Sequence, residues 1–291
     1  MKKIKYLFLS LFVLLVSISC TTTEFLSPEN QVVPLQSLAK EGDTILLIDA
    51  TKEAELVESL LGEDIASRAK EITIQITPKD DTYPISDFDY NAVVEGDFPF
   101  FTTNFALNLS KDLTKVLEST KSYYTNDSYE IGVIHSNMVG VSSTSFLDLV
   151  DTVDTKIENT TNAVASQMYG ANFALYSMKP TTLFDFGIGL NQTMISHFDS
   201  ILLLINENDD NQMVLDATFE VDSDKNASTL DRMIKTGYTA NLKKAGEKLD
   251  FSALKLMFII DSNVVNIVDM PLNDEQINLL KDTINSSNIG L

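Results

Sequence analysis

Cysteine is almost absent from this chain: Cys20 is the only one in 291 residues. An intrachain disulfide is therefore excluded, and so is a zinc site of the cysteine-rich kind. Histidine is nearly as scarce. His135 and His197 are the only two, and neither belongs to a set with metal-ligand spacing. Basic residues number 21 against 42 acids, for a formal net charge of −21. Loss of the first 19 residues would remove Lys2, Lys3 and Lys5 and leave −24. A field of that sign repels nucleic acid and anionic head groups alike, so no nucleic-acid partner is expected and any membrane contact must be apolar. Motifs of catalysis are missing as well. Ser142 and Ser143 follow Gly140-Val141 without the second glycine of a nucleophile elbow, and Gly187-Ile-Gly189 leads into Leu190-Asn-Gln192 rather than a nucleotide loop. The expectation is a non-enzyme with no catalytic residue, no metal and no cofactor.

The N-terminus carries the strongest positive signal. Met1 to Lys5 is basic, and Tyr6 to Ile18 is an uncharged run of 13 residues. As a helix that run spans about 20 Å, short of the ~30 Å hydrocarbon core, so it reads as the h-region of a signal peptide over residues 1–19. Directly after it, Val16-Ser-Ile-Ser-Cys20 resembles a bacterial lipobox of the looser kind found in spirochaetal lipoproteins. Ser17 stands at −3, where leucine is commonest, and Ile18 at −2, where a small residue is usual. That resemblance implies cleavage before Cys20 and acylation of it. Thr21 in place of an aspartate favours, by analogy with enteric bacteria, onward transport to the outer membrane.

Residues 20–42, polar with Pro28 and Pro34, read as the lipidated Cys20 and a tether. Residues 43–291 read as a single domain, with two halves of similar rhythm meeting near residue 160. Thr44–Asp49 is a fully apolar strand, followed by a helix from Lys52 to Leu61 and a short one begun by Asp64. Strands are expected at Ile72–Ile76, Tyr90–Glu95, Tyr129–His135, Met138–Ser143, Phe173–Met178, Ile201–Ile205, Gln212–Val221, Lys255–Asp261 and Val264–Met270. A helix is expected from the Gly96-Asp97-Phe98-Pro99 corner, with Asp97 as its cap and Pro99 in its first turn, and others from Ser145 to about Glu158, from about Ser228 to Leu249, and from Asn273 or Asp274 onward. Thr181–Phe198 stays open between helix and loop. Paired strands with helices between them predict an α+β fold. It would have antiparallel sheet and amphipathic helices packed on one face, with or without an apolar cavity among them.

Two stripes are the candidate lipid contacts. Phe146, Leu149, Val150, Val153 and Ile157 share one helical face opposite Asp148, Asp151, Asp154 and Lys156. Phe98, Phe101 and Phe105, with Leu109, share another. A stripe of this kind is either core or a surface for acyl chains, and both readings are open at this point. Asp222-x-Asp224-x-Asn226-x-Ser228 opens like a calcium loop, but Ala227 and Met233 stand where an EF-hand needs its glycine and its bidentate glutamate. It reads as a strand-to-helix turn.

Beyond single motifs, the chain resembles the small outer-membrane-associated lipoproteins of treponemes and related spirochaetes. The residues that suggest it are Ile45-Leu-Leu-Ile-Asp49 with its following helix, Ala92-Val-Val-Glu-Gly-Asp97-Phe-Pro99, Asn104-Phe-Ala-Leu-Asn108, and the span from Met213 to Met270. The resemblance implies an α/β fold, amphipathic helices that enter the bilayer, and a hydrophobic cavity likened to those of lipid carriers. The expected function is a periplasm-facing, lipid-anchored protein of the outer membrane that binds or inserts into lipid. Its expected partners are membrane lipid through Cys20 and an apolar lipid ligand. The alternative is a lipoprotein that displays a protein-binding module to envelope or host partners.

Overall fold

Five successive residues, Thr44 to Ile48, are all buried. Alternate side chains of a strand point to opposite faces, so the sheet is covered on both sides here. The structure is a computed structural model. It describes residues 34–39, 42–79, 87–118, 121–154, 162–178, 192–246 and 250–286. Its strands are β1 (Thr44–Asp49), β2 (Ala69–Pro78), β3 (Phe88–Gly96), β4 (Thr114–Glu118), β5 (Lys121–Thr125) and β6 (Glu130–His135). They continue as β7 (Met138–Ser142), β8 (Phe173–Met178), β9 (Phe198–Glu207), β10 (Met213–Val221), β11 (Phe258–Asp261) and β12 (Val264–Pro271). All join one antiparallel sheet in the order β11-β12-β10-β9-β8-β1-β2-β3-β7-β6-β5-β4. The α+β class and the antiparallel pairing expected from sequence are what the structure shows.

The helices are α1 (Pro34–Leu38), α2 (Ala54–Leu61), α3 (Glu63–Ala66), α4 (Phe100–Leu109) and α5 (Phe146–Asp154). After them come α6 (Asn162–Met168), α7 (Gln192–Ile195), α8 (Asp224–Ala245), α9 (Phe251–Met257) and α10 (Asp274–Ser286). They lie on both faces of the sheet, not on one. Leu46 and Ile48 of β1 share a core with Val57 of α2, Leu230 and Ile234 of α8 and Ile284 of α10. Ile45 and Leu47 point the other way and are buried too, on the side where α1 touches β1, β2 and α5. The wholly apolar run at β1 is the sequence trace of that second layer. It also moves a boundary: Leu35, Leu38 and Ala39 are 0–1% exposed. The stretch from 34 to 39 is core, not tether.

The two halves follow one connection scheme. β1 leads through a helix to the pair β2–β3, and a later hairpin, β6–β7, returns to lay β7 beside β3. β8 leads through α7 to β9–β10, and the hairpin β11–β12 returns to lay β12 beside β10. The schemes meet where β1 and β8 pair antiparallel. The first half carries β4 and β5 as an extra edge.

Boundaries moved where caps decide. Ser223 caps α8, its side chain accepting from the Asn226 N–H, so the helix starts four residues before the expected Ser228. Gly246, at φ 75°, closes it in the left-handed conformation. Asp250 accepts from the N–H groups of Ser252 and Ala253 at 2.8 and 3.3 Å, and residues 251–257, expected in part as strand, form α9 instead.

Candidate functional site

The clearest amphipathic helix of the sequence is core. Phe146, Leu149, Val150 and Val153 of α5 are 0–2% exposed. Ser145 Oγ accepts from the Asp148 N–H at 3.2 Å, as the capping pattern predicts, and Glu130 accepts from the Phe146 N–H at 2.7 Å. Two glycines let α5 press onto β6 and β7. A Cβ on Gly132 would lie 2.7 Å from the Phe146 ring, and one on Gly140 would lie 3.0 Å from Leu149 Cδ2. At the far end of the helix, His135 Nε2 and Asp154 stand 3.0 Å apart. These four side chains present no free surface. Ile157 lies outside the described residues, as does Cys20.

The second stripe divides. Phe98 is 2% exposed, because Pro99 is the cap and the helix starts only at Phe100. Phe101 and Phe105 are 85% and 64% exposed, and Leu109, one further turn along, is 63% exposed. Helix α4 (FFTTNFALNL) has no charged residue. Its orientation is the reverse of a soluble helix: phenylalanines face out, while Thr103 Oγ1 and Asn104 Oδ1 are buried without a hydrogen-bond partner among the described residues. Such orphans are rare in native proteins. The Tyr124 hydroxyl donates to the Asn104 carbonyl at 2.8 Å and pins α4 near β6. Phe100, 49% exposed, and Leu117 of β4, 75% exposed, enlarge the apolar area at this end of the sheet.

Two features escaped sequence reasoning. At the opposite edge, Phe251 and Leu256 of α9 and Ile259 and Ile260 of β11 are exposed, although Phe258 at the start of the same strand is buried against Tyr238 of α8. Between the sheet and helices α8 and α10 lies a partly open cavity of about 290 Å³. Its floor is Phe173, Leu203, Leu215 and Met270, with Ile234 and Leu280 on its walls. An apolar cavity was an expected option, but its residues come from six separate elements and share no motif.

The polar constellations have structural roles. Asp222 holds His197 Nδ1 at 2.7 Å and Asn226 Nδ2 at 2.6 Å, and these bonds keep its carboxyl below the ordinary range. Asp224 accepts from Ser262 at 3.0 Å. The calcium-like segment is thus the turn and cap of α8. Asp43, Gln75, Asn91 and Ser142 form a hydrogen-bonded chain across the strands, Asn91 donating to Gln75 at 3.0 Å and Ser142 to Asn91 at 2.7 Å. Asp49, Glu71 and Glu95 stand in register on β1, β2 and β3. Burial, then the charge of Glu95, pushes Glu71 up to about 8. Burial raises Glu95 as well. Burial and both carboxylates push the Tyr169 hydroxyl up.

Compared with known proteins, the chain is similar in fold to the treponemal protein TP0453. Against one crystal form the TM-score is 0.60 at 11% identity, covering 89% of this chain and 99% of that one. Against another it is 0.58 at 13% identity, covering 88% and 99%. No protein-family model and no curated protein matches the chain. At such identities the likeness is one of fold.

Proposed function

We propose that this chain is a lipid-anchored, non-enzymatic protein of the bacterial outer membrane, facing the periplasm, that meets lipid through α4. The observation that carries the reading is the inverted helix: Phe101, Phe105 and Leu109 in solvent, with Thr103 Oγ1 and Asn104 Oδ1 buried and without a hydrogen-bond partner among the described residues. In water that arrangement exposes apolar rings and starves polar atoms. Against acyl chains the rings are buried, each large side chain contributing about 1.5–3 kcal/mol. The absence of charge on α4 suits a molecule whose net charge of −21 opposes electrostatic attachment to anionic lipid. The signal-peptide pattern and Cys20 support the anchor. Membrane lipid is the partner in both contacts. Among the described residues no helix is long and apolar enough to cross a membrane.

Liposome flotation of protein lacking the acyl group tests the helix. Binding of the unacylated chain should persist at high salt, because apolar contact is not screened. The double variant Phe101→Asp/Phe105→Asp should lose flotation and keep its melting temperature, since both side chains are exposed. Flotation equal to wild type would refute the role of α4. A second reading, display of a protein-binding module, rests on Ile259 and Ile260 at the β11 edge, where a partner strand could pair.

A further inference from the structure

Among the described residues no strand pairs with the far side of β11, the outermost strand of the sheet. Its hairpin with β12 fixes which backbone groups are left over. Residues 262 and 263 form the turn, with Asp261 opposite Val264, Ile260 opposite Val265 and Ile259 opposite Asn266. Around a two-residue turn the flanking pair exchanges both backbone bonds, and exchange alternates from there. Asp261 and Ile259 therefore bond to β12, while Ile260 turns its N–H and C=O outward. Phe258 turns only its C=O outward, because its N–H donates to the Leu254 carbonyl. The side chains around these groups are apolar and exposed: Ile259, Ile260 and Val268 on the strands, and Leu256 in the last turn of α9. The other edge strand, β4, is guarded by Lys115 and Glu118, charges of both signs. On β11 the only charge is Asp261.

Charge decides what such an edge accepts. Strands β9 to β12 carry Asp199, Glu207, Asp216, Glu220, Asp261 and Asp269, and no lysine or arginine. Asp261 and Glu220 lie in one row, on either side of Val264, and point to the same face. That face is the one away from α8 and α9, since Leu254 and Met257 pack with Val265 and Ile267 on the other. Lys235 and Lys255 belong to those helices, and Lys235 is held by Asp231 at 2.8 Å. A second copy of this chain would bring the same acids to the same edge, with −21 on each molecule. Acyl chains would leave the outward N–H and C=O groups without hydrogen bonds. A cationic strand supplies both the bonds and the counter-charge.

We infer that the β11 edge is a docking site for an extended, cationic segment of another protein. The segment adds as a further strand, with a lysine or arginine beside Asp261 and β-branched apolar residues beside Ile260 and Ile259. The inference rests on the second reading above, a displayed protein-binding module, and names the chemistry of its partner. It uses no residue of α4. Each can therefore fail without the other.

The test uses the full chain carrying Cys20→Ser, so that N-terminal apolar residues contribute equally to every variant. A rhodamine-labelled synthetic peptide repeating lysine-valine-valine should bind saturably by fluorescence anisotropy. Glutamate in place of its lysines should weaken binding about ten-fold or more, because like charges then face each other. Methylating the peptide's backbone nitrogens keeps its charge but prevents pairing, and should cost about as much. Ile260→Pro removes the outward N–H and no bond to β12, so binding should fall about ten-fold or more with the melting temperature little changed. Ile259→Lys, which places a repelling charge at an exposed edge position, is the second variant should the first not fold. Unchanged binding in a folded variant, or no saturable binding to the parent, would overturn the site. Equal binding of the lysine and glutamate peptides would overturn the cationic partner. A parent dimer in sedimentation, made monomeric by either variant, would give the edge to a second copy instead. Flotation on liposomes should be the same for parent and β11 variants, and a loss of flotation in them would assign the edge to lipid.

Discussion

Glu71 and Glu95 face each other across β2 and β3 and share a hydrogen bond, with Asp49 next in the row. Two carboxylates at that separation cannot both ionise readily in a half-buried place, so the folded protein retains a proton that the unfolded chain releases near 4.5. The folded-state value of Glu71 is about 8. A raised value means that the folded state binds more protons between those limits. The contribution to stability is complete below about 4.5 and is lost as pH rises through about 8. Urea unfolding at several pH values should show wild type losing stability over that window relative to Glu71→Gln. A Glu71→Gln protein with the same pH dependence as wild type would sink the shared-proton account. Neither acid is distinctive in a chain with 42 of them. Their pairing became visible only when the register of β2 against β3 was known.

At the scale of elements, α4 and α5, both candidate lipid contacts by sequence, take opposite roles. The even amphipathicity of α5, apolar on one side and acidic on the other, is that of a helix laid on a sheet, and Gly132 and Gly140 make the seat for it. Helix α4 instead turns Thr103 and Asn104 inward and shows its rings to solvent. Aspartate substitution separates the two. Val150→Asp, at a position 2% exposed, buries a charge with no counter-charge and should cost roughly 3 kcal/mol or more, enough to unfold a marginal domain. Circular dichroism melting would detect it directly. A Val150→Asp protein that melts like wild type would mean that α5 leaves the sheet in solution. Both stripes were legible as apolar faces. Which one is covered was not, because periodicity reports that a face is apolar and says nothing about what lies opposite it.

On the scale of the whole molecule, the anchor and the domain are independent devices. Acyl chains on Cys20 would hold the protein by about 0.8 kcal/mol per buried methylene, far beyond what α4 alone can supply. Cys20→Ala should move the bulk of the protein from the detergent phase to the aqueous phase in Triton X-114 partition. Equal partition of mutant and wild type would remove the anchor from the account and leave α4 as the membrane contact.

The sequence by itself determined the elements whose signals are local. The strands from β1 to β3 and from β6 to β10 follow alternation or continuous apolar runs, α5 and α10 follow their caps, and the N-terminal pattern stands on adjacent residues. It did not determine β4 and β5, which are largely polar, exposed or short, nor α1, four of whose five residues become core only by lying on β1 and β2. Tertiary structure alone decided that β1 and β8 meet in the middle of one sheet, and with that the second covered face. It also decided the burial of α5, the inversion of α4 and the cavity between the sheet, α8 and α10. Each of these depends on residues tens to hundreds of positions apart. A hydrophobic period shows that a side chain must leave water, and only the pairing of distant strands settles where it goes.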